Sequence, residues 1–172
     1  DVERPTLLEQ EGIAVAGSRF PYAVGRLVLW SARDDLVDAE GLVLESGAFR
    51  FLAIANPDLA PYGAAAREVL TARDLWASLQ PKLVRGQDIG QTYSFVHTGN
   101  AELGFVAYSQ LKRPGVEPSG SYWLVPESLH RPIEQQAVLL RDVPAARELM
   151  EFVKSDAARE VMRRYGYEPD GA

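Results

Sequence analysis

The sequence predicts an α/β protein whose sheet is at least partly parallel. Two observations carry that reading. Short apolar runs, Phe51 to Ala55 and Leu103 to Tyr108, alternate with segments of helical period, and strand–helix–strand order is the pattern of parallel pairing. The first of these runs breaks at Asn56-Pro57-Asp58, and Pro61-Tyr62-Gly63 then opens an alanine-rich helix. A strand that turns through prolines into a helix presents backbone N–H groups at its carboxyl end, where α/β sheets usually hold a ligand. No basic side chain lies there, so an anion at this point must be held by backbone dipoles.

The elements follow in order. Pro5 to Gln10 reads as a short helix, with Pro5 in its first turn and Gly12 at its end. Tyr22 to Ser31 is the longest strand candidate, with Gly25 marking a bend or a close backbone approach. Asp34 to Ser46 is charged and reads as a surface excursion. Strand 51–55 leads to a helix from about Gly63 to Ala72, and Arg73 to Leu79 reads as a second short helix, stopped by Pro81. Lys82 to Val84 is a brief strand. In Ile89 to Thr98, Ile89, Tyr93 and Val96 share one helical face, with Gly99 at its end. After strand 103–108 and a Pro/Gly loop, Ser121 to Val125 and Gln135 to Leu140 read as strands. Pro144 to Lys154 has one apolar face of Ala145, Leu149, Phe152 and Val153, and Asp156 is expected to cap a last helix ending at Gly166.

Composition narrows the function. With 172 residues, 47% hydrophobic and 24% charged, the chain can bury a real core. A net charge of −6 argues against a nucleic-acid partner, which would demand a basic face, but permits a small anionic ligand at a local site. The absence of cysteine excludes disulfide and thiolate chemistry. The start, Asp1-Val2-Glu3-Arg4-Pro5, runs directly into a helical pattern and reads as the interior of a longer protein.

Catalysis finds little support. The two histidines, His97 and His130, sit in unrelated contexts, and there is no Gly-x-Ser-x-Gly elbow to supply a nucleophile. Nor do they make a metal site without a clustered carboxylate set. The glycines form neither a Gly-x-Gly-x-x-Gly nor a Gly-Lys-Ser/Thr loop, so nucleotide binding has no warrant and no cofactor is expected. Trp30, Trp76 and Trp123 read as packing, and Asp34-Asp35, Lys112-Arg113 and Arg163-Arg164 as solvated charge. Two helix starts remain, at Tyr62-Gly63 and at Ile89-Gly90. On position alone both are ordinary connections. Neither carries Lys or Arg in its first turn, so each could hold a desolvated oxyanion by N–H donors.

Several stretches resemble one family. Gly17-Ser18-Arg19-Phe20, Tyr22 to Gly25, Leu27 to Ser31, Ile54-Ala55-Asn56-Pro57 and Ala60-Pro61-Tyr62-Gly63 are similar to the periplasmic molybdate-binding proteins of ABC importers. Gly99 to Ala107 and the closing Tyr165-Gly166-Tyr167 match as well, in order and over essentially the whole chain. The resemblance implies a type II periplasmic-binding-protein fold of two α/β lobes, with molybdate or tungstate in the cleft between them. Residues 1–25 and 136–172 would form an incomplete first lobe, and 26–135 the second. It implies backbone N–H donors at Tyr62 and Ile89, the same two helix starts. Some members add a tyrosine hydroxyl at the position of Ala107, and here Tyr108 follows instead. The family's opening Ser/Thr donors precede the matched region. This chain alone is therefore expected to bind more weakly than a longer form, and its unfinished sheet edge to favour self-association. The implied partner is an ABC permease in the inner membrane, and the implied location is the periplasm. A ligand-sensing domain of a transcription regulator shares this architecture and is the alternative.

Overall fold

The structure is a computed structural model and describes residues 1–169. The chain divides into two compact units, one from Arg26 to Pro132 and one joining residues 1–25 to the chain from Ile133 onward.

The central unit is built on a five-stranded sheet. Its strands are β2 (Leu27–Ser31), β3 (Leu52–Ala55), β4 (Leu83–Gly86), β5 (Leu103–Ala107) and β6 (Ser121–Leu124), in the order β4-β3-β5-β2-β6. β3 is parallel to both β4 and β5, whereas β2 runs antiparallel to β5 and β6, so the sheet is mixed. Helix α3 (Pro61–Ala72) crosses from β3 to its neighbour β4, and α5 (Ile89–His97) carries the chain back past β3 to β5. Right-handed crossovers in opposite directions put the two helices on opposite faces of the sheet.

The strand residues explain both faces. Val28, Trp30, Ala53 and Val106 form one cluster with Val96 of α5. Their neighbours Leu27, Leu29, Leu52, Ile54, Leu103 and Phe105 alternate to the other face and are fully buried. There α3 supplies Ala65, Ala66, Val69 and Leu70. The Trp30 ring lies 5.0 Å from Tyr93 in a parallel stack, and Tyr93 stacks in turn on His97 at 5.5 Å. Trp30 Nε1 donates to the Ser119 carbonyl at 2.8 Å, which satisfies its one polar atom.

The sequence pattern misplaces several boundaries. The strand expected over Tyr22–Ser31 is two strands in two sheets. Gly25 pairs with Ile133, while Leu27 pairs with Ala107. Between them the Arg26 carbonyl already belongs to the second sheet, accepting the Tyr108 N–H at 2.8 Å one step beyond the Leu27–Ala107 pair. The charged excursion over 34–46 is anchored rather than fully solvated. It contains the short helix α2 (Val43–Ser46) and buries Val37, Val43 and Leu44. The Asp38 carboxylate makes this possible by accepting the N–H groups of Glu40, Leu42 and Val43. Helix α4 (Trp76–Leu79) starts later than expected because Asp74 adopts a left-handed φ of 58°.

The second unit is a three-stranded antiparallel sheet, β7 (Ile133–Ala137), β1 (Phe20–Gly25) and β8 (Glu168–Pro169), with α1 (Glu3–Gln10) and the pair α7 (Pro144–Lys154) and α8 (Asp156–Arg164). Pro21, which has no N–H for a ladder, sits where the register shifts between Pro21 and Ala23. The cap of α8 is Ser155, whose hydroxyl accepts the Ala158 N–H, and not Asp156, which is the first helical residue. The apolar face expected on α7 exists but is uncovered: Leu149 and Phe152 are 60% and 55% exposed.

Candidate functional site

Both helix starts singled out from the sequence lie at one edge of the central sheet. Ala55 ends β3 and is the register partner of Gly86, which ends the parallel strand β4. The ladder continues one step beyond, where the Asn56 N–H donates to the Gly86 carbonyl at 2.8 Å. From this shared edge α3 begins at Pro61 and α5 at Ile89. β3 is the strand where the crossovers reverse direction, and the carboxyl ends at such a point are where open α/β sheets form their ligand crevices.

The start of α3 is set by its turn. The Asn56 carbonyl accepts the Leu59 and Ala60 N–H groups, and its side-chain oxygen accepts that of Asp58 at 3.1 Å. Ala60 is extended, and Pro61 takes the first helical position, where its missing N–H costs nothing. The first amide of α3 therefore belongs to Tyr62, whose side chain is buried. Gly63 follows because the helix rides against the end of β3, and a Cβ there would stand 2.3 Å from the Ala55 carbonyl oxygen.

The start of α5 is held by reciprocal capping. Asp88 is the cap, and its carboxylate accepts the Gln91 N–H at 2.8 Å. The Gln91 side chain reaches back to the Gln87 N–H at 2.7 Å. Thr92 is fully buried, and its hydroxyl donates to the Asp88 carbonyl at 2.8 Å. Gly86 leaves room for that hydroxyl, since a Cβ there would lie 2.6 Å from it. The Ile89 and Gly90 N–H groups donate to no protein acceptor among the described residues.

Neither first turn carries a cationic side chain. Arg67, nearly two turns into α3, is paired with Asp58 at 3.0 Å. Positive potential at this edge comes from the two helix dipoles and their leading N–H groups, a field suited to a small anion.

A third strand, β5, ends at the same edge, and the short helix α6 (Tyr108–Leu111) begins there. Ala107 offers no hydroxyl. The Tyr108 ring lies 5.9 Å from that of Tyr122, tilted against it, and the Tyr122 phenol is pushed up by burial and then by the Tyr108 side chain beside it. Gln110 joins the start of α6 to the start of α5, a link the sequence did not signal.

The remaining candidates are structural. His97 ends α5 in the aromatic stack, and the His130 ring contacts the Arg131 carbonyl through Nδ1. Among the described residues no three His, Cys, Asp or Glu side chains cluster as a metal site would need. The second unit holds a cavity of about 350 Å³ lined by Arg19, Arg147 and Lys154. Those cations are already paired, with Glu9, Asp142 and Glu151.

The mixed α/β sheet, with two helices starting at one edge, is that of a solute-binding protein of the periplasmic-binding-protein fold. Residues 1–168 match the profile of the bacterial extracellular solute-binding proteins, and the chain belongs to that family. Its role is binding and not catalysis. The chain is 52% identical over 170 residues to the molybdate-binding protein ModA of Azotobacter vinelandii, covering 97% of this chain and 68% of that protein. It is 49% identical to ModA of Rhodobacter capsulatus, covering 97% of this chain and 66% of that protein. The solved structure of the Azotobacter vinelandii periplasmic molybdate-binding protein superposes with a TM-score of 0.91 at 38% identity, over 97% of this chain and 74% of that one. The chain thus spans about two thirds of the length of these curated relatives. Among the described residues no helix is long and apolar enough to cross a membrane.

Proposed function

We propose that this chain binds molybdate, and tungstate with it, through the backbone N–H groups of Tyr62 and Ile89, and serves an ABC importer by delivering the oxyanion to its permease in the inner membrane. Its place of action is the periplasm. The observation that carries this reading is the convergence of α3 and α5 at the ends of adjacent parallel strands, in register at Ala55 and Gly86, with no cation in either first turn. N–H dipoles can match a tetrahedral oxyanion without a counter-charge, so that the anion can also be released. The names and sequence identity of the relatives supply the choice of oxyanion. A thermal-shift panel of molybdate, tungstate, sulfate and phosphate tests it. Stabilisation by molybdate and tungstate is expected. Stabilisation by sulfate or phosphate at the same concentration, with none by molybdate, overturns it.

We infer also that the chain self-associates. β7 is an edge strand of its sheet, and α7 of the same unit exposes Leu149 and Phe152. Light scattering of the chain should report a species larger than a monomer, and a monodisperse monomer would remove this proposal.

A further inference from the structure

We infer that Gln110 is a positioning residue for the anion site: its side-chain amide ties the end of β5 to the first turn of α5 and so fixes the peptide group between Ile89 and Gly90. The inference rests on the reading of the start of α5 as an anion site given above, and extends it from the Ile89 N–H to that of Gly90, which likewise meets no protein acceptor among the described residues.

The geometry is a two-sided clamp. The Ala107 N–H donates to Gln110 Oε1 at 3.0 Å, and Gln110 Nε2 donates to the Ile89 carbonyl at 3.0 Å. The first bond sets the amide's orientation, because an N–H can be accepted only by the oxygen end. The NH2 end must then face α5. Four other side chains hold this turn, those of Asp88, Gln91, Thr92 and Ser94, and all act within four residues of their partners. Gln110 instead reaches across 21 residues of sequence. It is the group that refers the start of α5 to the sheet and not merely to itself.

The carbonyl it holds matters. In a trans peptide the C=O of Ile89 and the N–H of Gly90 point in opposite directions. Fixing the carbonyl therefore fixes the line along which the Gly90 N–H points. Gly90 lacks a Cβ, and glycine is the residue whose backbone is least constrained. A donor that must match a rigid anion to within a fraction of an ångström gains most from a tie at that point. Gln110 is half-buried, so water competes less for the clamp.

The substitution Gln110→Glu separates this role from a role in folding. Glu keeps the acceptor for the Ala107 N–H, so the cap of α6 survives. Ionised, it has no donor for the Ile89 carbonyl; protonated, it regains one. Against wild type, molybdate affinity of Gln110→Glu is expected to be about ten-fold weaker near pH 8, the loss of one hydrogen bond beside a charged ligand. It should recover as the pH falls toward about 5, approaching the ordinary carboxylate range of about 4.3. Asp88 at the cap of α5, Tyr108 beside Gln110 and Lys112 after α6 are common to both proteins, so the difference between them reports position 110. The melting temperature of the unliganded variant should fall only modestly near pH 8, as for the loss of one hydrogen bond, and return toward wild type in acid. In the same unliganded samples, hydrogen exchange of the Tyr93 N–H, whose helical acceptor is the Ile89 carbonyl, should accelerate while that of Ala107 stays slow. Wild-type-like affinity at both pH values, with unchanged exchange at Tyr93, overturns the inference. If wild type itself fails to bind molybdate, the ligand reading fails, and the exchange comparison still decides the role of Gln110.

Discussion

Gly63 of α3 lies so close to Ala55 that a Cβ on the glycine would stand 2.3 Å from the Ala55 carbonyl oxygen. The obstacle is backbone, which cannot turn aside as a side chain can. Gly63→Ala should push the start of α3 off the end of β3, at a cost of about 1–3 kcal/mol for overpacking. Because Tyr62 is the preceding residue, molybdate affinity should fall along with the melting temperature. Unchanged values for both, by thermal melt and isothermal titration, would contradict the close approach.

Ile89→Pro asks whether an amide of α5 contacts the anion. Proline is favoured at the first helical position, and Asp88 before it is already extended at φ −142°, ψ 178°. The variant removes one N–H and leaves the helix start in place. Stability should stay within about 1 kcal/mol of wild type, the range of a modest surface change. Affinity for molybdate should drop ten-fold or more, as expected for about 1.5–3 kcal/mol in a hydrogen bond to a charged group. Equal titration curves would dismiss the Ile89 amide as a donor.

Glu68 on α3 accepts both the backbone N–H and the guanidinium Nε of Arg131, each at 2.7 Å. Burial pushes its carboxyl up, but the Arg131 hydrogen bonds and charge outweigh that and hold it below its ordinary 4.5. The folded-state pKa is depressed, so the stabilisation is complete above the ordinary value and is lost as pH falls through the folded one. The Arg131 side chain is 84% exposed, so solvent screening keeps the effect within about 1 kcal/mol. Glu68→Gln should lower the melting temperature at neutral pH, and the gap to wild type should close in acid below the folded value. A gap that persists there would show that the carboxylate's charge is not the source.

Gly104 of β5 faces Val96 of α5, and a Cβ on the glycine would come 2.8 Å from Val96 Cγ2 and 3.0 Å from the Ala53 Cβ. Gly104→Ala should therefore destabilise the central unit. Val96→Ala should also destabilise it, by opening a cavity. Together they should cost less than the sum, because the new methyl takes space the valine vacates. Additive denaturation midpoints would place α5 farther from β5 than it is.

What could be read from the chain follows the range of the interactions. The junction from β3 to α3 was legible because Asn56, Pro57, Pro61 and the alanines act within a few residues of each other. The start of α5 at Ile89 was legible, but its cap was found only in the structure, although Asp88 and Gln91 are just three apart. The break at Gly25 was not, because the apolar pattern on either side is continuous and only distant partners, Ile133 and Ala107, assign the halves to different sheets. Periodicity correctly marked an apolar face on α7 but says nothing of whether anything covers it. The adjacency of the Tyr62 and Ile89 helix starts depends on the register of Ala55 with Gly86, which family resemblance carried and local chemistry could not. Gln110 was invisible because an uncharged amide with partners at Ala107 and Ile89 leaves no pattern to read.

The placement of β2 between β5 and β6 has a kinetic consequence. The first strand of the central unit finds its partners only after Ser121–Leu124 has been made, so that sheet cannot close progressively from its amino end. The smaller sheet waits longer still, since Gly25 pairs with Ile133 across the entire intervening unit. Bringing two such distant residues together in an open chain carries a loop-closure entropy that grows with the length between them. Once residues 26–132 have folded, that stretch is no longer an open loop, and its ends are already gathered by the pairing of Val28 with Leu124. Assembly is therefore expected to run from the inside of the chain outward, with α3 and α5 in place before the terminal segments can pair.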